Sequence, residues 1–137
     1  MKINEDGVAI LFIDLDNFKQ VNDTHGPEKR DEILRSVGKI LRSILRDKDV
    51  AGRMGGDEFV ICVSARREVI QKTAMSIAQR IITGTNGVGY GIGCSIGIAL
   101  ITSPQDTIAS TIKCADAAMY EAKKLGKNRF ILFGTSN

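Results

Sequence analysis

Apolar positions along this chain follow two rhythms, one of period two and one of period three to four, and glycine-rich breaks separate them. Residues 8–14, "VAILFID", form a short apolar run that ends in an acid, and its length and β-branched content predict a buried strand. From Pro27 onward Ile33, Leu34, Val37, Ile40, Leu41, Ile44 and Leu45 recur at the spacing of an amphipathic helix. "DVAGRM" and "EFVICV" are strand-like runs on either side of Gly55-Gly56, which predicts a hairpin with the glycines at its tip. A second helical face, Val69, Ile70, Ala74, Ile77 and Ile81, runs from about Glu68 to Ile82, where "TGTNGVGYG" breaks it. "CSIGIALI" places Cys94, Ile96, Ile98 and Leu100 in period two, "TIASTIKCADAAMYEAKKLG" reads as a third helix closed by Gly126, and "RFILF" is a last strand. The predicted order is β-α-β-β-α-β-α-β. This is an α/β (α+β) arrangement: a mixed sheet with helices covering one face, of the ferredoxin-like βαββαβ kind.

Composition narrows the picture without naming a chemistry. At 137 residues and 43% hydrophobic the chain suits one domain with a core of useful size. Its apolar runs fall short of the ~18 residues of a membrane span, and no export signal precedes the first strand. Cys62, Cys94 and Cys114 are odd in number and occupy apolar positions, which favours buried free thiols and a reducing cytoplasm over disulfides or a zinc site. The net charge of +3 is mild, its cations are scattered among acids, and aromatics are 5% of residues, so a phosphate-bearing small ligand fits better than nucleic acid. No dinucleotide fingerprint or Walker-type phosphate loop occurs. His25, the single histidine, has no second His or Cys near it in sequence and is given no catalytic or metal role.

The chemistry lies in the acids and glycines. Asp14 ends the first strand, and Asp57 and Glu58 lie in the hairpin turn; a hairpin pairing beside that strand brings the carboxylates to one edge of the sheet. Converging acids repel unless a cation sits between them, and Mg²⁺ takes one or two carboxylates and leaves the rest of its shell to water and phosphates. Gly55 and Gly56 leave room for backbone N–H groups to approach a phosphate. The competing reading is a tight turn with solvated acids, and Asp14 shifts the balance away from it.

"RMGGDEF", with "FIDLDNFKQVND" upstream and "CSIGIA" and "ADAAMYEAKKLGKNRF" downstream, resembles the GGDEF family of diguanylate cyclases, in family order from about Ile10 to Phe130. The resemblance implies a palm-like, nucleotide-cyclase-like domain and a reaction in which two GTP condense to cyclic di-GMP with release of two pyrophosphates. It implies an antiparallel homodimer with one GTP per protomer. Asp14, the Leu15 carbonyl and Asp57 are then the ligands of Mg²⁺ (or Mn²⁺), and Glu58 completes the acidic site. Lys19 stabilises charge on the phosphates, and Lys123 grips them with Gly55 and Gly56. Asn22 and Asp31 match the guanine-recognising pair. Exposed lysines and, for Asn22 and Asp16, helix caps are the competing readings.

The departures from the family pattern are expectations too. "GPEKRD" puts Pro27 and Arg30 where the family has histidine and glycine, and Lys127 stands for an arginine of the substrate site, keeping charge but losing the bidentate fork. The family's leading helix with its D-x-L-T-G-L-x-N-R signature does not precede the first strand, so residues 1–137 read as a single GGDEF domain excised from a longer signalling protein, with a fused sensor or other domain. The domain itself is expected to be cytoplasmic, without membrane contact, in a protein that is soluble or membrane-anchored. Arg46-x-x-Asp49 has the family spacing of a product-inhibition site, with Arg80 as a second arginine; the competing reading is a surface ion pair. Two functions follow: an active cyclase under product control, or a GGDEF module that binds GTP or cyclic di-GMP and regulates an attached domain.

Overall fold

The computed structural model describes residues 6–134, and the element order is the predicted one: β1 (Asp6–Asp16), α1 (Phe18–Ile44), β2 (Val50–Arg53), β3 (Glu58–Arg66), α2 (Ile70–Asn86), β4 (Gly93–Ile101), α3 (Ile108–Lys124) and β5 (Arg129–Leu132). The five strands form one mixed sheet in the order β2-β3-β1-β4-β5. β1 is central and antiparallel to both β3 and β4, and β5 lies parallel to β4. The first four strands are therefore a ferredoxin-like unit, to which α3 and β5 add a crossover at one edge.

The expectation that helices cover one face is corrected: they cover both. β1 is apolar at both parities, so each of its faces must be buried. Ala9, Leu11, Ile13 and Leu15 face one core, built with Val21, Ile33, Val37 and Leu41 of α1 and Ile70, Ala74, Ile77 and Ile81 of α2. Ile10 and Phe12 face the other, with Ala99 of β4 and Ala115 and Met119 of α3.

Two helices extend beyond their sequence boundaries. α1 begins at Phe18, not Pro27, and consists of two limbs joined at Gly26, whose φ of 85° and ψ of 175° belong almost exclusively to glycine. Pro27 starts the second limb, where its missing N–H costs nothing. α2 continues through "TGTN" to Asn86, because Gly84 is where α2 meets α1: a Cβ there would stand 2.7 Å from Ile40 Cγ2. α3 is bounded as its sequence predicts. Thr107 and Ser110 form a capping box at its start, and after Lys124 the Lys127 N–H donates to Ala122 O (2.9 Å) across Gly126 at φ 123°.

Of the three free cysteines Cys94 is buried and Cys62 and Cys114 are half-buried. Burial pushes the Cys94 thiol up to about 12, against the hydroxyl of Thr85, which donates to its sulfur at 3.3 Å. Among the described residues no helix is long and apolar enough to cross a membrane.

Candidate active site

The period of β1 decides which of its terminal groups meet. Asp14 and Asp16 share the parity of Ile10 and Phe12 and so lie on the face that α3 covers, whereas the Leu15 side chain enters the opposite core and leaves its carbonyl at the strand's end. β3 brings Glu58 into register with Asp14, and the Leu15 N–H donates to Asp57 O at 3.0 Å, so the acid pair of the hairpin is laid beside the end of β1. The predicted convergence of Asp14, Asp57 and Glu58 is thus realised.

Asp14 is the strained member. Its Oδ1 is buried and accepts no hydrogen bond. Burial, then the adjacent Asp57 and Glu58 carboxylates, raise its carboxyl to about 7, and the Lys123 ammonium 3.7 Å away only partly opposes them. Lys123 Nζ sits where a cation is called for: it donates to Asp16 Oδ1 at 2.7 Å and to Leu15 O at 3.3 Å. Among the described residues no group of three or more His, Cys, Asp or Glu side chains is arranged to hold a metal ion. The groups at this edge that could hold one are two carboxylates, Asp14 and Asp57, and the Leu15 carbonyl. That leaves most of a shell open, as magnesium prefers when it binds with phosphates.

The turn that carries Asp57 is held by the cation before it. Arg53 Nε donates to Gly55 O (3.0 Å) and Nη2 to Gly56 O (2.8 Å), and the Met54 N–H donates to Glu58 O (2.8 Å). A Cβ at Gly56 would meet nothing within 4 Å, whereas one at Gly55 would stand 3.1 Å from Glu58 Oε1. The open side of the turn is the side on which a phosphate has room.

Asp16 corrects its sequence reading as a helix cap. Its side chain is 3% exposed and accepts from Ser95 Oγ (2.7 Å), Lys123 Nζ (2.7 Å) and the Asn128 N–H (2.9 Å). It ties β1, β4, α3 and the turn before β5 into one frame around the acidic edge. The helix-cap position belongs to Asn17, in the left-handed region at φ 65°, and its side chain makes no cap either: Nδ2 donates to Gly91 O (2.8 Å) and Oδ1 accepts from Lys127 Nζ (3.3 Å). Lys127 is therefore placed at the start of α1, beside the site.

The remaining candidates lie on α1 and behind the hairpin. Lys19 is exposed in the first turn of α1. Asn22 is on the first limb and Asp31 on the second, where Arg30 Nε donates to Asp31 Oδ1 at 3.2 Å at the exposed surface. Arg46 and Asp49 are a half-buried pair, not a solvated one. The Asp49 side chain is fully buried and takes Arg46 N (2.9 Å), Nε (2.9 Å) and Nη2 (2.7 Å), while Nη2 also donates to Ser64 O (2.8 Å). Burial works to raise Asp49, but the hydrogen bonds and charge of Arg46 outweigh it and hold the carboxyl below its ordinary range. Arg46 and Arg80 are brought together on the wall of one cavity of about 340 Å³, with Lys72, Thr73 and Ser76. Asp49 is absent from that wall, because both its oxygens are spent on Arg46.

The sequence model described as "Diguanylate cyclase, GGDEF domain" matches residues 2–129. Diguanylate cyclase A of Treponema denticola is 34% identical over 132 residues, covering 91% of this chain and 35% of that protein. Cyclic di-GMP phosphodiesterase PdeR of Escherichia coli is 37% identical over 133 residues, covering 92% of this chain and 20% of that protein, so the chain spans 20–35% of the length of these relatives. The solved active GGEEF domain of a diguanylate cyclase from Vibrio cholerae superposes with a TM-score of 0.83 at 30% identity, covering 95% of this chain and 85% of that one.

Proposed function

The chain belongs to the GGDEF family of diguanylate cyclase domains, and from that premise and the geometry of its acidic edge we propose that it condenses two GTP into cyclic di-GMP and two pyrophosphates, with Mg²⁺ (or Mn²⁺) and as a homodimer. The observation that carries this reading is Asp14 Oδ1, buried without a hydrogen bond beside Asp57 and the open glycine turn. The Lys123 ammonium at 3.7 Å is too far to hydrogen-bond this oxygen, so the buried carboxylate stays incompletely satisfied, and a divalent cation would complete it. Asp14, the Leu15 carbonyl and Asp57 would hold that cation. Bound there, it supplies charge stabilisation to the attacking and leaving oxygens of phosphoryl transfer.

The chain's own residues do the rest. Gly55 and Gly56 leave space for the phosphates against the turn that Arg53 clamps. Lys123, poised on Asp14 and Asp16, can turn to the triphosphate once a divalent ion satisfies the acids, and Lys19 and Lys127 add charge at the start of α1. Each protomer holds one GTP, and the 3′-hydroxyl of one attacks the α-phosphorus of the other, so two domains must face each other. The domain works in the cytoplasm, where GTP is available, within a longer soluble or membrane-anchored protein that carries a sensor. Incubation with GTP and Mg²⁺, with the product identified by mass, tests the reading; persistent GTP with no cyclic di-GMP at dimer-forming concentrations overturns it.

Asn22 and Asp31 read the base. The carboxylate accepts from guanine N1–H and N2–H₂, donors that adenine lacks. Arg30 holds that carboxylate in the free protein, but the pair is exposed, with side chains 39% and 53% accessible, and is worth at most ~1 kcal/mol, less than the ~1–3 kcal/mol of a good bidentate base contact. Guanine therefore displaces Arg30. In calorimetry with Ca²⁺ in place of Mg²⁺, GTP is expected to bind over ATP with discrimination that can reach ~10⁴-fold. Equal affinities would remove Asp31 from the base site. They would also favour the second reading, a module whose Asp31 stays with Arg30 and which regulates an attached domain without turnover.

The cavity beside α2 is the proposed feedback site. Asp49 and Ser64 O fix the Arg46 guanidinium at its wall, and Arg80 lines the same space, so a guanine of cyclic di-GMP meets one preorganised arginine with a second beside it. Arg46→Ala is expected to weaken cyclic di-GMP binding by ~1–3 kcal/mol while GTP affinity is kept. Because that change also strands the buried Asp49 carboxylate, Arg80→Ala is the parallel variant: it removes a cavity arginine and leaves the Arg46–Asp49 pair whole. Wild-type affinity in both variants, by titration, would reduce the motif to a structural ion pair.

A further inference from the structure

The loop that leaves α2 has a conformation its residues do not favour. Gly89, Tyr90 and Gly91 all carry positive φ, at 89°, 60° and 72°. For the glycines this is free; for a tyrosine it is a strained state that persists only where surroundings impose it. Burial does not impose it here, since Tyr90 is 49% exposed.

What the ring touches accounts for the strain. Tyr90 lies edge-on to His25, with centroids 5.3 Å apart and planes at 73°, an arrangement that ring quadrupoles favour. Lys29 Nζ stands 4.7 Å from the centroid of the same ring, at cation–π distance. His25 ends the first limb of α1 and Lys29 belongs to the second, so one side chain spans the joint at Gly26. The joint has no other support from its own residue: a Cβ at Gly26 would meet nothing within 4 Å. The loop is anchored to the start of α1 as well, where Asn17 Nδ2 donates to Gly91 O at 2.8 Å.

Asn22 lies on the first limb and Asp31 on the second, and two groups that read one base edge need a fixed separation and tilt. The angle at Gly26 sets both. We propose that Tyr90 is a positioning residue for base selection: its ring braces the two limbs of α1 across Gly26 and so holds Asn22 and Asp31 in the one arrangement that accepts guanine. This inference rests on the reading of Asn22 and Asp31 as the base-recognising pair.

The test uses the full chain and three substitutions at the ring: Tyr90→Gly and Tyr90→Asn, which remove it while suiting the positive φ, and Tyr90→Phe, which keeps it. Dissociation constants for GTP and ATP are measured by calorimetry with Ca²⁺. Tyr90→Gly and Tyr90→Asn are expected to fold with undiminished melting temperature and to lose about tenfold or more in GTP affinity, the scale of one bidentate base contact put out of reach, with ATP affinity unchanged. Tyr90→Phe keeps the wild-type preference. Asp31→Ala separates the two levels of the reading. If Asp31→Ala abolishes the GTP preference and Tyr90→Gly leaves it intact, the brace is refuted and the base pair stands. If GTP and ATP weaken equally in Tyr90→Gly, the ring is only structural and the proposal also falls. If Asp31→Ala keeps the preference, the base pair is wrong and the brace falls with it.

Discussion

Asp57→Ala is expected to lower cyclic di-GMP formation by on the order of 10³-fold or more, because it removes one of two carboxylates that hold the proposed cation, and a metal's charge stabilisation is worth several kcal/mol of barrier. The domain should stay folded. Asp57 is half-buried in a turn whose shape is set by the Arg53 contacts to Gly55 and Gly56 and by backbone bonds, none of which uses its side chain. In metal-free buffer the variant should be at least as stable as the wild type near neutral pH, since a like charge beside half-buried Asp14 has gone. The sign follows from Asp14. Its carboxyl is raised from 3.8 to about 7, first by burial and then by its acidic neighbours, so the folded state binds a proton that the unfolded state releases. This contribution is fully present below pH ~4 and is lost as pH rises to ~7, and removing Asp57 should flatten that loss. Urea midpoints across this range, with product formation measured by mass, check both halves. Full turnover by the variant would remove Asp57 from the site, and a collapsed midpoint would make it a structural acid.

The acidic edge was legible in the sequence because its parts are local. An acid closing an apolar run, two glycines and two acids in a hairpin tip, and a cation before them can be read within a few residues; the pairing of β3 with β1 spans α1 and β2 and entered the sequence reading only as a condition, which the Asp14–Glu58 register meets. Asp16 was not legible as a hub. Its partners, Ser95, Lys123 and Asn128, lie 79 to 112 residues away, and no periodicity encodes a contact of that range. The first limb of α1 was hidden for another reason: "KQVNDTH" is polar, and its helical state depends on Phe18 and Val21 reaching the core from a strand end just before them. Gly84 misled in the opposite sense, because glycine in a sequence signals a break whereas here it permits two helices to touch. The cover on both faces was written in β1 all along, in apolar residues at both parities.

Gly97 shows how close that cover is, and its substitution should have the largest effect on stability. Gly97 lies between Ser95 and Ala99 on the face of β4 beneath α3, where Ala115, Ala118 and Ala122 keep the helix surface small. A Cβ at Gly97 would fall 1.8 Å from Ala115 O and 2.3 Å from Met119 N. Both are helix backbone atoms, so no rotamer can relieve the overlap, and α3 must lift from the sheet before an alanine fits. Overpacking a core commonly costs ~1–3 kcal/mol and sometimes more, and a clash with backbone on this scale belongs at or above the upper end. Against the ~5–15 kcal/mol that holds a domain together, Gly97→Ala should therefore shift the urea midpoint strongly without abolishing folding in every condition. The same displacement carries the C-terminal end of α3, and with it Lys123, away from Asp14 and Asp16, so product formation should fall even where the variant is folded. Gly52→Ala is the control: on the exposed strand β2 an added Cβ meets nothing within 4 Å, and a change within ~0.5 kcal/mol is expected there. Equal midpoints for Gly97→Ala and Gly52→Ala would mean that α3 does not rest on β4 at this distance, and the frame that holds Lys123 at the acidic edge would have to be placed elsewhere.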